Sequence, residues 1–232
     1  MPFTRPKAVF FDFDGTLIDS EGPDGQLLAA MMSELGLHFT ALDVIRMLQG
    51  MTRDLVPQVL HERFGVTVPE DWMTRYRAGR RVLEDKASVP AGTLQSLRRL
   101  KRAGVPLSLV SNSRASRLER MVKSSGAQGL FEDRLFHLAQ GVRPKPEPDL
   151  YLAALRSAGL SPAEALAVED SVVGVRAARA AGIPCVGFTG FNRLGLEEES
   201  ALKAAGAFLL VSRMSDVAAL ALGVPPAKEE RS

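Results

Sequence analysis

The pattern of apolar and polar positions divides the chain into contrasting stretches. It opens with Ala8-Val9-Phe10-Phe11, dense in Val and Phe, the pattern of a strand buried on both faces. Thr16 to Gly25 carries Asp, Ser, Gly and Pro and reads as a loop. Helical spacing follows: Leu27, Leu28, Met31, Met32 and Leu35 recur at three- and four-residue intervals until Gly36. Further helices are predicted at 41–49, 53–64 and 69–85, with Gly50 and Gly65 as punctuation. No convincing strand pattern occurs between about 20 and 88, so this block is expected to be an all-helical insert with linkers near 16–20 and 86–90.

From Val89-Pro90 onward strand alternates with helix. The pattern predicts helix 92–103, strand 105–110, helix 114–125, a short segment at Leu135-Phe136, then helix 147–158 and strand 165–168. Helix 172–181, strand 183–188, helix 197–205, strand 207–211 and helix 215–222 complete it. Strands separated by helices of this length specify an α/β fold, a doubly wound, Rossmann-like parallel sheet with helices on both faces. The expected division is a core of residues 1–18 and 88–224, a helical domain of 19–87, and a Pro-rich, charged tail at 225–232 that frays.

Composition adds exclusions. A length of 232 residues allows one large domain or a core with an insert, and 46% hydrophobic with 24% charged residues is ordinary globular composition. A net charge of +2 gives no argument for nucleic acid or an anionic membrane as partner. The lone Cys185 excludes an intrachain disulfide and, in an apolar strand-like run, reads as a buried inert thiol. Arg5 and Lys7 precede an apolar run too short for a signal-peptide core or a membrane span, so a cytoplasmic protein is expected.

Candidate chemistry sits at four predicted strand ends, where ligands bind in open parallel sheets. Asp12 and Asp14, two apart after the first strand, project to one face, and such close like charges need a proton or a cation between them. Ser111-Asn112-Ser113 follows the second strand and offers a hydroxyl and N–H groups to a phosphate-sized anion, or else Ser113 only caps the next helix. Lys145 lies between Pro144 and Pro146, which fix the backbone around it, and near Asp12 it would offset carboxylate repulsion and pair with a phosphate oxygen. Glu169-Asp170 ends another apolar strand and supplies hard oxygen ligands suited to Mg²⁺, unless the pair only adds to the capping of which Ser171 is capable.

With these residues in order the chain resembles the haloacid dehalogenase superfamily over nearly its whole length. Asp12-Phe13-Asp14-Gly15-Thr16 is similar to its nucleophile motif, Ser111 to its second motif, Lys145 to its third-motif lysine, and Val168-Glu169-Asp170-Ser171 with Gly174 to its fourth. The helical insert falls where one subgroup carries a cap domain, and the branch resembled is that of β-phosphoglucomutase and small sugar-phosphate phosphatases. The resemblance implies a Mg²⁺-dependent phosphatase of a small phosphorylated sugar or sugar acid, acting through an aspartyl phosphate. Asp12 is the implied nucleophile and Asp14 the acid and base. Asp12, the Asp14 carbonyl, Asp170 and, directly or through water, Glu169 hold the metal. Ser111, the Asn112 N–H and Lys145 hold the phosphoryl group.

Gly50-Met51-Thr52-Arg53 is similar to that branch's cap loop, which makes Gly50, Thr52 and Arg53 candidates for specificity, Arg53 toward a distal phosphate or carboxylate; its alternative is a solvated helix charge. The mutases resembled carry a cap histidine where this chain has Glu21-Gly22-Pro23-Asp24, which favours a phosphatase over a mutase. Asp14 and Glu169-Asp170 argue against metal-free dehalogenation, and intact motifs argue against a phosphate-binding module without turnover. A small-molecule substrate and a monomer or weak homodimer complete the expectation. Trp72, Tyr76 and the arginines at 75, 77, 80 and 81 default to packing and a solvated face.

Overall fold

A parallel sheet carries the molecule's polar strand ends. In the computed structural model, which describes residues 5–49 and 51–225, the strands are β1 (Ala8–Phe11), β2 (Leu107–Arg114), β3 (Leu135–Leu138), β4 (Ala165–Glu169), β5 (Cys185–Phe188) and β6 (Leu209–Val211). They form one sheet in the order β3-β2-β1-β4-β5-β6, and every pairing is parallel. β1 is flanked on both sides, Val9 registering with Leu107 and with Leu166, which is why its sequence is apolar without alternation. The chain builds outward from β1 through β2 to β3, then returns to β1's other side for β4. The strand order therefore reverses beside β1, and a crevice opens there at the carboxyl ends.

One compact unit is formed by the chain up to Ile18 and from Ser88 onward. Its helices are α5 (Ala91–Arg102), α6 (Ala115–Ser124), α7 (Asp149–Ala158), α8 (Val172–Ala180), α9 (Leu196–Ala205) and α10 (Met214–Leu222). Phe10 packs in a cluster with Tyr151, Val175, Ile183 and Cys185, while Phe11, pointing to the opposite face, meets Phe131 edge-on at 6.4 Å. The Cys185 thiol is fully buried, and that burial pushes it well above the ordinary thiol range, in keeping with an inert core residue.

The other compact unit is Asp19–Ala87, holding α1 (Glu21–Ser33), α2 (Ala41–Met47), α3 (Val56–Phe64) and α4 (Trp72–Lys86). Leu28, Met32, Val44, Leu60, Trp72 and Tyr76 form its core. Trp72 and Tyr76 pack within that core with their rings stacked at 6.3 Å, and Arg75, Arg77, Arg80 and Arg81 pair with Glu34, Asp54, Glu84 and Asp85 on the surface.

Two predicted boundaries move for identifiable reasons. α1 starts at Glu21, inside the predicted loop, because Pro23 lies in a first turn where its missing N–H has no partner to lose, and Asp19 Oδ1 accepts the Gly22 N–H at 3.1 Å. β2 runs on through Ser111–Arg114 with a register shift between Val110 and Arg114, so the strand outlasts its apolar run. Past the buried Ser111 its last residues are polar and partly or fully exposed, so hydrophobicity stops marking them. Among the described residues no helix is long and apolar enough to cross a membrane.

Candidate active site

The ends of β1, β2 and β4, with the Lys145 turn before α7, converge on one buried polar cluster. Past Phe11 the Asp12 N–H still bonds to the Val168 carbonyl at 3.0 Å, so Asp12 is held by the ladder while its side chain leaves the core. Gly15 turns the chain with φ +84°, and an ideal Cβ there would lie 2.0 Å from Asp170 Oδ2, so only glycine admits both the turn and that carboxylate. Thr16 Oγ1 donates to Asp170 Oδ1 at 3.0 Å, tying the β1 turn to the end of β4.

Lys145 is buried and uses all three ammonium protons, donating at 2.6 Å to Asp12 Oδ1, to Glu169 Oε1 and to the Val110 carbonyl. Its backbone is clamped by the Asn112 side chain: the Lys145 N–H donates to Asn112 Oδ1 at 2.8 Å, and Asn112 Nδ2 donates to the Lys145 carbonyl at 3.2 Å. The Lys145–Pro146 peptide is cis. Glu169 has no exposed surface and also accepts from Tyr151 Oη at 2.7 Å and Ser171 Oγ at 3.4 Å. Ser171 caps α8 by accepting the Gly174 N–H at 3.1 Å, leaving the carboxylates of Glu169 and Asp170 with other partners.

Gly174 is part of that burial, since an ideal Cβ on it would sit 1.9 Å from Glu169 Oε2. Gly174→Ala is therefore expected to destabilise the fold by about 1–3 kcal/mol or more, through displacement of Glu169. Chemical denaturation checks this, and an unchanged midpoint would show that Glu169 can move aside cheaply.

The electrostatics follow from burial. Desolvation pushes the Asp12 carboxyl up to about 7, with Glu169 adding to the rise and Lys145 opposing it. Burial works to strip the proton from Lys145, but Asp12 and Glu169 outweigh it and hold the ammonium above its usual range. Burial, then the charge of Glu169, raises the Tyr151 phenol. Asp12, Glu169 and Asp170 each present an oxygen within 4.8 Å of the others. Three carboxylates thus gather where Lys145 bridges Asp12 and Glu169, and the burial of Asp12 is what makes its charge costly. A hard divalent cation fits this all-oxygen donor set in charge and in ligand type.

Asp14, whose charge also raises Asp12, has partners of its own. Arg117 on α6 grips its carboxylate with both arms, NH1 to Oδ2 at 2.6 Å and NH2 to Oδ1 at 2.8 Å, and Ser113 Oγ donates to Oδ2 at 3.3 Å. Ser113 thus does not cap α6, whose first residues have no side-chain cap. The buried Ser111 Oγ instead accepts the Ser113 N–H at 3.1 Å, shaping the turn at the end of β2. Arg117 escaped the sequence reading; its only signal is a spacing of one helical turn from Ser113.

In the helical unit Arg53 is not a solvated charge. Its Nε donates to the buried Asp24 Oδ2 at 2.7 Å and its NH1 to the carbonyls of Leu48 and Met51 at 3.3 and 3.4 Å. Tyr76 Oη completes the Asp24 carboxylate at 2.7 Å. Thr52 precedes the 3-10 turn Arg53–Leu55 without a side-chain cap bond, and Gly50 lies outside the described residues.

A family model for hydrolases, described as haloacid dehalogenase-like hydrolase, matches residues 6–182. A phosphoglycolate phosphatase of Pseudomonas putida is 30% identical over 201 residues, 82% of this chain and 72% of that protein. Protein CbbY of Cupriavidus necator is 33% identical over 202 residues, 78% of this chain and 77% of its own. A crystal structure of a HAD family hydrolase from Deinococcus radiodurans, with bound phosphate and sodium, superposes with a TM-score of 0.86 at 29% identity, covering 96% of this chain and 99% of that one.

Proposed function

The chain belongs to the haloacid dehalogenase-like hydrolases, and on that premise we propose that it is a Mg²⁺-dependent phosphatase of a small phosphorylated sugar or sugar acid, working through an aspartyl phosphate. The observation that carries the reading is the convergence of Asp12, Asp170 and Lys145 from separate loops on one cluster in which Asp12, Glu169 and Asp170 each offer an oxygen within 4.8 Å of the others. The named phosphatases among its relatives support the reaction class.

Asp12 attacks phosphorus; the bond to the leaving oxygen breaks, and Asp14 gives that oxygen a proton. Asp14 then takes a proton from the water that attacks the aspartyl phosphate, releasing inorganic phosphate and restoring the Asp12 carboxylate. Lys145 exchanges one of its present bonds for a phosphoryl oxygen, while Ser111 and the Asn112 N–H hold the others. Asn112's side chain keeps Lys145 in place during that exchange. Asp12, Asp170 and the Asp14 carbonyl would hold Mg²⁺, with Glu169 bound directly or through water, and the ion when bound neutralises charge on the transferring group. Glu169 serves equally as the buried partner of Lys145. Residues 19–87 act as the cap, with Arg53, Thr52 and Gly50 as its candidate substrate contacts; the Asp24 and Tyr76 bonds would fix the guanidinium of Arg53 for that task. The region in which the resembled mutases carry a histidine holds a carboxylate committed to Arg53, which supports hydrolysis over transfer back to a sugar.

The test is phosphate release from a panel of phosphorylated sugars, sugar acids, phosphoglycolate and nucleotides, with Mg²⁺ and with chelator. Release from one compound class, lost on chelation and restored by Mg²⁺, is the expected result. Silence across the panel, with or without a sugar bisphosphate activator, would overturn it. A pH dependence accompanies this. The metal-free site holds a proton on Asp12 below about 7, and metal needs the carboxylate. Mg²⁺ affinity should therefore fall by up to about tenfold per pH unit below that point and level off above it. Calorimetric titration from acid to mildly alkaline pH checks this, and a flat profile would contradict the burial argument.

A further inference from the structure

Arg117 is the charged residue of the site that the proposed cycle leaves without a task. It sits in the first turn of α6, where the helix dipole disfavours a cation, so its position needs an anion to justify it. In this structure the anion is Asp14, gripped side-on by both arms of the guanidinium, with NH1 also donating to Ser113 Oγ at 2.5 Å. The pair still reaches solvent, with 19% of the Arg117 side chain and 28% of the Asp14 side chain exposed. The planar fork of arginine matches any carboxylate presented in this way. Asp14, however, has to turn an oxygen toward the leaving group and then toward water, and here both oxygens are engaged by Arg117. At least one of those bonds has to break before Asp14 can work, and a second carboxylate offered to the fork would compensate for the loss.

We propose that Arg117 is a specificity-determining residue that exchanges the carboxylate of Asp14 for a carboxylate carried by the substrate, so that phosphate esters of hydroxy acids are bound and Asp14 is released for proton transfer by the same event. This rests on the phosphatase reading above and narrows its substrate class. It makes Arg117 a contact to the part of the substrate that does not react, selecting by the release of Asp14 as well as by affinity.

The experiment compares phosphoglycolate with ethyl phosphate, which shares the ester but lacks the carboxylate, using the wild type, Arg117→Ala and Arg117→Lys. The expected result is a wild-type preference for phosphoglycolate that falls on the order of 100-fold in Arg117→Ala, as a rise in KM together with a fall in kcat for that ester. Arg117→Lys should recover part of the preference, because it keeps the charge without the fork, and it preserves the test if the alanine variant folds poorly. If the variants slow both esters equally and the preference is unchanged, Arg117 serves only to position Asp14 and the proposal falls while the phosphatase reading stands. If the wild type cleaves sugar phosphates but neither member of the pair, the carboxylate class is wrong. Release from no ester at all overturns both.

Discussion

Asp12→Asn should lower turnover by about 10⁴-fold or more, a loss of roughly 5.5 kcal/mol or more in transition-state stabilisation, because the amide cannot open the phosphoryl-transfer path. The same substitution should leave the fold intact. Asn has the shape of Asp, and the change removes one of two carboxylates crowded against Lys145 while Glu169 remains its partner at 2.6 Å. Burial already opposes the Asp12 charge strongly enough to push its carboxyl up to about 7. Taking that charge away therefore relieves a cost, and the melting temperature of the metal-free protein should stay level or rise. Single-turnover phosphate release and a thermal melt, run on the same preparation, separate the two effects. Activity within a factor of ten of wild type would remove Asp12 from the mechanism; lost activity with a lowered melting temperature would mean that the residue serves the fold.

Lys145→Met should fail on both counts. The ammonium satisfies two buried carboxylates and the Val110 carbonyl, and without it Glu169, with no exposed surface, keeps only the hydroxyls of Tyr151 and Ser171. Breaking a buried pair by removing one partner costs about 3–5 kcal/mol. For a domain of this size that amounts to a fall of roughly 6–20 °C in melting temperature. Loss of a charge that would hold the phosphoryl oxygens should slow turnover by roughly 10²–10³-fold as well. The double variant Lys145→Met with Glu169→Gln distinguishes the two roles. The glutamine keeps an acceptor for Tyr151 and carries no charge to strand, so stability should largely return while activity does not. Recovery of both would show that Lys145 acts only as a counter-ion.

The contrast between these variants explains why the site was partly readable in the chain. Asp12, Lys145 and Asp170 each sit at a punctuation point, a strand end or a proline-bracketed turn, where a polar residue is conspicuous against apolar neighbours. Parallel strands separated by helices already require their carboxyl ends to lie on one side of a sheet. The periodicity of residues 92–222 therefore carried the α/β class, and with it the expectation that these residues share a crevice. Local pattern was weaker where polar residues continue an element: the first turn of α1, with Glu21, Gly22 and Pro23, and the last residues of β2, Ser111–Arg114, look like loop because none of them carries the apolar side chain that marks a buried face.

What the chain determined by itself was the material: apolar runs of strand length, helices of repeating leucine, and acidic, hydroxyl and lysine groups stationed at their ends. The partnerships were decided only by tertiary structure. Lys145 reaches residues 133 and 24 positions away, and Arg117 meets Asp14 across 103. Gly15 and Gly174 matter because two distant carboxylates lie against them. A salt bridge, a clamp such as Asn112 on Lys145, or a buried pair such as Arg53 with Asp24 depends on distance in space, and hydrophobic periodicity reports only which face of an element is buried.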